Sequence, residues 1–313
     1  MSTREAWPDI PYTPWRPTCT TLHLWTQIVG KFRLAHTPWL NHSWHATLYL
    51  TARGLTTSLV PCGPTAVDAE FDFVDQVLVV RTTRGARRDL PLVPGSVADF
   101  HGKFRATLEA LGLDSHFDGA PNEVSDPVPF AQDHAARDYD SAAAARFWQA
   151  LVQIDRVFEQ FRTGFLGKVS PVHLFWGSFD LAVTRFSGRT APPHPGGIPA
   201  LPDAITREAY SHEVSSAGFW PGGGGIDEPA FYSYAYPTPD GFAAARVLPE
   251  AAYFSRELGE FVLPYAAVRG SADPDAALLA FLQTTYAAAA DLAGWDRPAL
   301  DAPSGRPGVP RAV

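Results

Sequence analysis

From Thr20 onward the apolar positions Leu22, Trp25, Val29 and Phe32 recur every three or four residues, which predicts a helix ended by Thr37-Pro38. The next run changes period. Trp44, Ala46, Leu48 and Leu50 alternate with His45, Thr47, Tyr49 and Thr51, the pattern of a half-buried strand, and Arg53-Gly54 turns it into Leu55–Val60. Residues 70–74 and 76–82 read as a second hairpin about Asp75, with Phe71 and Phe73 facing inward and Glu70 and Asp72 on its wet side. Ser96 with Asp99 opens a capped helix striped by Val97, Phe100, Phe104, Leu108 and Leu111, and Gly112 stops it. Residues 1–17, with four prolines and three large aromatics, predict an extended arm.

Residues 113–140 are rich in Asp and Pro and lack periodicity, so they read as a linker. Ser141 then begins the cleanest helical stripe of the chain, Phe147, Leu151, Ile154, Phe158, Phe161 and Phe165. Val172–Trp176 and Phe179–Phe186 follow as a hairpin turned at Gly177-Ser178. Strand-like runs at Glu208–Phe219, Pro229–Pro237 and Phe261–Val268 come next, and Asp273-Pro274 opens a last helix ending at Gly294.

The two halves repeat one order of events. Trp25, Gln27, Ile28 and Phe32 hold the same relative positions as Leu151, Gln153, Ile154 and Phe158, 126 residues later, and each set leads toward a strand-like run containing a histidine, His45 or His173. The predicted fold class is therefore α+β, a single full-length domain built of two pseudo-repeats, 18–112 and 141–295. Each is a helix, an antiparallel sheet of about four strands and a closing helix, packed around a central cleft; the 296–313 tail is predicted disordered. Such a cleft is a natural place for a site.

With 313 residues, 46% hydrophobic and 12% aromatic, the chain can bury a sizeable core. A net charge of −8 with short basic clusters argues against nucleic acid as a partner. No run of 18 apolar residues predicts a membrane span, and the first eight residues lack the apolar core of a secretory leader, so a cytoplasmic protein is the expectation. Two cysteines, Cys19 and Cys62, support neither a disulfide framework nor a zinc finger.

Three segments carry candidate chemistry. In the first, His42 and His45 flank Trp44, as two metal or anion ligands or as satisfied structural imidazoles. The second runs from Ser170 to Arg189 and holds His173, Trp176, Asp180 and Arg185. Asp180 among apolar neighbours needs a partner, for which Arg185 or Arg189 is the obvious choice; alternatively Arg185 binds an anionic substrate group. The third holds Glu208, Tyr210 and His212 on one strand side, Glu213 on the other, and Trp220 before four glycines. The leading expectation is a small-molecule enzyme acting on an anionic substrate between the halves. His173, His212, Glu213 and Asp180 form its catalytic set, Arg185, Trp44, Trp176, Tyr210 and Trp220 contact substrate, and a divalent metal on His42, His45, His173, His212 and Glu208 is one option. The alternative is a non-catalytic protein holding an aromatic or apolar ligand against the same tryptophans. Oligomeric state is not readable.

Trp7-Pro, Thr20 through Gln27, Asn41-His42 with Trp44-His45, Ser170-Pro-Val-His173 through Arg189, and Tyr210 through Pro221 together resemble the bacterial family of unknown function DUF5996. The likeness spans nearly the whole chain and implies one family domain, with no activity to carry over.

Overall fold

In the computed structural model, which describes residues 6–311 apart from Gly224, the first long element is α1 (Tyr12–His36), and it is buried on nearly every side between Leu22 and Arg33. It therefore starts eight residues before the expected Thr20, and the predicted arm is helical from Tyr12. Pro14 sits in the first turn, where backbone N–H groups have no intrahelical partner in any case. Only Pro17 removes an interior bond, and burial of Trp15 offsets it. The leader reading rests partly on residues 1–5, and the tail and glycine-run readings include residues 312–313 and 224; all of these lie outside the described residues.

The first sheet contains β1 (Tyr49–Leu50), β2 (Gly54–Thr56), β3 (Val60–Cys62), β4 (Thr65–Asp72), β5 (Val77–Thr82) and β6 (Arg87–Pro91). Its path is β1-β2-β4-β5-β6, antiparallel throughout, with β3 paired to β4. Val67, Ala69, Phe71 and Phe73 point inward, where Phe71 and Trp25 both stack near Phe100 of α2 (Val97–Ala110). The outer face is polar and ion-paired: Arg81 meets Asp68 and Glu70 at 3.2 and 2.8 Å, and Arg53 meets Asp72 at 2.5 Å.

The second sheet follows α3 (Ser141–Thr163), whose N-terminus Asp140 caps. It is a path of β7 (His173–Phe175), β8 (Asp180–Thr190), β9 (His212–Trp220), β10 (Ala230–Tyr236), β12 (Glu260–Pro264) and β11 (Tyr253–Ser255), again antiparallel. The helix α4 (Asp203–Ala209) interrupts between β8 and β9, and α5 (Tyr265–Gly270) and α6 (Pro274–Leu292) close the half. One face of this sheet, Leu181, Val183, Ala217, Phe219, Phe231 and Leu263, is buried and packs against α3 and α6. The fold is thus α+β with two six-stranded antiparallel sheets among the described residues. No described helix is long and apolar enough to cross a membrane.

Three sequence-based boundaries shift. Residues 44–47 form a turn after a short 3-10 segment, Asn41–Ser43, so His45 lies outside any strand and Leu48 instead makes an isolated antiparallel bridge to Leu174. Glu208 lies in α4, which runs from Asp203 to Ala209, rather than on a strand with His212. The 296–313 segment is ordered where described: α7 (Arg297–Leu300) packs on the body, and Asp301 accepts a 2.5 Å bond from Tyr286.

Candidate functional site

The second sheet's other face is covered by the segment that carries the short helix α4, which stands off the strands. Its register sets Ala182, Gly218 and Tyr232 in one cross-strand row and Thr184, Ser216 and Tyr234 in the next. The small residues of β8 and β9 leave space above the sheet, and large aromatics wall it. The result is a cavity of about 320 Å³, at the lower end of typical ligand pockets. Trp44, Trp176, Tyr210 and Trp220 all stand on its walls, with Trp220 stacked on Tyr232 at 4.3 Å.

Three carboxyl groups reach this cavity: Asp180 at the start of β8, Glu260 at the start of β12, and Glu123 from the long connection between the halves. Asp180 is 4% exposed and accepts hydrogen bonds from the Ser178 and Tyr232 hydroxyls. Neither arginine expected beside it is there. Among the described residues no Lys, Arg or His forms an ion pair with any of the three acids, and Glu260 Oε2 is shielded from solvent without a hydrogen-bond partner. Burial, reinforced by the neighbouring Asp180, pushes the Glu123 carboxyl up to about 7 and that of Glu260 to about 8. Burial also raises Asp180 itself, against the opposing pull of its two hydroxyl donors.

Local sequence explains how these groups are held. Gln27 of α1 clamps the backbone of Asn122, its amide accepting from Asn122 N at 2.8 Å and donating to Asn122 O at 2.9 Å. Lys31, 2% exposed, donates to Asp118 and to the Asn122 side chain at 2.5 and 2.6 Å. Those buried polar residues of α1 fix the connection that carries Glu123. Gly177 admits the Glu123 carboxyl, since a Cβ there would lie 2.0 Å from Glu123 Oε1. Gly218 admits Tyr232, since its Cβ would lie 2.3 Å from the phenol oxygen that reaches Asp180. Glu123 itself has φ 57°, and His42 and Ser43 on the opposite wall have φ 58° and 57°, so left-handed non-glycine backbone gathers at this cavity.

The segment from Ala191 to Ser211 lies over the cavity and contributes Ile198, Leu201, Ile205 and Tyr210. It is tied down at several points. His42 Nδ1 donates to Ala209 O at 2.6 Å, Trp39 donates to the Glu208 carboxylate, and Glu123 N donates to Pro199 O at 3.1 Å. Because Nδ1 carries the proton, His42 Nε2 accepts from Lys168 Nζ at 2.9 Å, and Lys168 lies against the Trp44 and Phe186 rings.

The histidines do not converge. His42 lines the cavity and His212 stands 6.5 Å away, ring to ring, but His45 turns back to bond Leu40, and His173 is fully buried against Phe175 outside the cavity lining. Glu208 is engaged with Trp39, and among the described residues no group of three or more His, Cys, Asp or Glu side chains could hold a metal ion. This corrects the proposed ligand set of His42, His45, His173, His212 and Glu208. Arg185 is corrected as well. Strand alternation sends it to the opposite face of the sheet, where it is fully buried among Phe161, Phe165 and Tyr286 and donates to Phe161 O. Glu213 also points away from the cavity and pairs with Arg189, which caps the last carbonyls of α6. Sequence reasoning missed Glu123, Tyr232, Tyr234 and Glu260. The alternating Tyr232, Tyr234 and Tyr236 of β10 were a visible signal; Glu123, in an aperiodic segment, gave none.

His173 has a consequence that can be measured. Neither ring nitrogen has a partner, and burial drives its imidazole down to about 3 from an ordinary 6.5. The unfolded chain therefore binds a proton that the folded chain refuses, so stability present above pH 6.5 is lost as pH falls toward 3. His173→Leu is expected to flatten that acid limb in urea unfolding while keeping or raising stability at pH 7. A variant that is equally acid-labile would contradict this account.

No curated protein and no solved structure matches the chain. Residues 7–302, nearly the whole length, match the profile of the family of unknown function DUF5996, and the chain belongs to that family.

Proposed function

We propose that this chain binds a small organic molecule in the cavity over the second sheet, its apolar body held between tryptophans and its polar end directed at Asp180. One observation carries the reading. A buried aspartate, held by Ser178 and Tyr232 and without a cationic partner among the described residues, opens onto an aromatic-walled cavity. Such a group is costly for a scaffold and useful for recognition. Ala182 on the cavity floor gives the test. Ala182→Phe places a ring in the empty space, and the protein should remain folded while stabilisation by bound ligands in a thermal-shift screen disappears. Ligand responses unchanged by that substitution would place binding elsewhere.

An enzymatic reading is favoured by a second observation. Glu123 and Glu260 are held at about 7 and 8, beside an Asp180 bonded to two hydroxyls. Carboxyls poised near neutrality can exchange protons with a bound substrate, as general acid–base work requires. In this reading the acid–base groups are carboxyls and phenols, in place of the histidines expected from sequence, and the substrate is not anionic.

We also infer that the two halves are copies of one unit. Apart from β3, which pairs with β4, and β11, which extends the second sheet beyond β12, the paths β1-β2-β4-β5-β6 and β7-β8-β9-β10-β12 run in the same order, each preceded by a long helix and followed by another. Leu48 and Leu174, which bridge the two sheets with bonds of 2.9 and 2.8 Å, are 126 residues apart, the interval that also relates the helix stripes. An antiparallel bridge between equivalent positions is what a pseudo-twofold axis produces. The copies have diverged in use. The outer face of the first sheet matches its acids with arginines, whereas the corresponding face of the second carries unmatched acids under a covering segment.

A further inference from the structure

We propose that the ligand of this cavity is an organic ammonium, a primary or secondary amine on an aromatic or branched aliphatic body. This rests on the small-molecule reading and adds the charge of the ligand to it. The argument is one of complementarity. Asp180, Glu123 and Glu260 all present oxygen to one cavity, and none has a basic partner among the described residues. Elsewhere this chain ion-pairs the acids of a sheet face, as Arg81 and Arg53 do on the first sheet, so the deficit is local to the cavity.

A ligand ammonium supplies the missing charge. It donates up to three hydrogen bonds, which suits Glu260 Oε2, shielded and without a donor. The walls suit the organic body of such a ligand, because Trp44, Trp176, Tyr210 and Trp220 line the cavity with aromatic surface. An anionic ligand would bring negative charge beside three acids, with no Lys or Arg among the lining residues to receive it. Lys168 does not fill that role, since it is not among the lining residues and its Nζ donates to His42 Nε2 while lying against the rings of Trp44 and Phe186.

Other titratable groups facing the cavity do not alter the balance near neutrality. Burial raises the phenols of Tyr210, Tyr232 and Tyr234 above their ordinary value, keeping them neutral donors. Burial also holds the His42 imidazole below its ordinary value, so it stays uncharged. Ammonium binding therefore follows ionisation of the carboxyls and strengthens as pH rises through neutrality.

Three probes that share a phenylethyl body distinguish the possibilities: 2-phenylethylamine, 2-phenylethanol and 3-phenylpropanoate, titrated against the full chain by tryptophan fluorescence and calorimetry at pH 6 and pH 8.5. The amine is expected to bind at least about tenfold more tightly than the alcohol at pH 8.5, with the carboxylate weakest. Its affinity is expected to rise severalfold between the two pH values, and that rise is expected to shrink in Glu260→Gln and Glu123→Gln. Alcohol or carboxylate binding as tightly as the amine, or amine affinity falling over the same pH interval, would overturn the ammonium assignment while leaving the small-molecule reading standing. Binding by none of the three probes would count against both.

Discussion

Replacing Asp180 by Asn is expected to weaken binding of an organic ammonium by about 100-fold, while leaving the protein at pH 8.5 at least as stable as the parent. Binding is lost because a charge-assisted hydrogen bond in a shielded cavity contributes about 1.5–3 kcal/mol, and the amide also offers the ammonium a competing donor. Stability holds because the native carboxylate has no cation. Its partners are two hydroxyls, one on each oxygen; in the amide the oxygen accepts from one and the NH2 donates to the other, whose hydroxyl turns to accept, so the substitution removes a buried charge without stranding another. A structural aspartate gives the opposite pair of results. Loss of more than about 2 kcal/mol in urea unfolding, with ligand affinity unchanged, would assign Asp180 to the scaffold.

The second large effect is a fall in stability as pH rises from 6.5 to 8.5 in the ligand-free protein. Glu123 and Glu260 hold their protons up to about 7 and about 8 when folded, against an ordinary 4.5. The folded state thus binds more protons than the unfolded state across this interval. The stabilisation is complete below pH 4.5 and is lost as pH passes the folded values. On the order of 2 kcal/mol should disappear, most of it through Glu260, whose folded value lies higher. Glu260→Gln should flatten the profile above pH 7. His173 acts in the opposite direction but only below pH 6.5, so the alkaline window isolates the carboxyls. Bound ammonium should also restore stability at pH 8.5, because it supplies the absent counter-charge.

Much of the scaffold was legible because hydrophobic period survives wherever one face of an element is buried. The stripes of α2, α3 and α6, the Ser96 and Asp273 caps, and the turn at Gly177-Ser178 were all written locally. What misled were segments whose conformation depends on distant partners. Residues 44–47 alternate like a strand, yet Arg33 captures the His45 carbonyl at 2.6 Å and Trp176 captures that of Ala46 at 2.7 Å, which fixes them as a turn. Around Arg207 and Glu208 a polar alternation hid a short helix that bonds to His42 and Trp39 across the chain.

The candidate site was half legible for a related reason. Tryptophans are rare and large, so Trp44, Trp176 and Trp220 drew attention and all stand at the cavity. Histidines drew attention for their chemistry, yet His45 and His173 stand outside the cavity lining. Arg185 could not be assigned until its strand face was known, and one step of alternation separates the cavity from the α3–α6 core. Glu123 and Glu260 lie in segments with no motif. They become significant only when three chain regions converge on Asp180.

Selective carbon-13 labelling of glutamate side chains and an NMR titration of their carboxyl resonances test the central claim most directly, because they read the charge deficit of the cavity itself. Two glutamate carboxyls are expected to titrate near pH 7 and 8, to vanish in Glu123→Gln and Glu260→Gln respectively, and to shift to lower pH when 2-phenylethylamine is added. All glutamate carboxyls titrating below pH 5 in the free protein would mean that these acids are solvated or paired, and the cavity would then have no uncompensated charge with which to select a ligand.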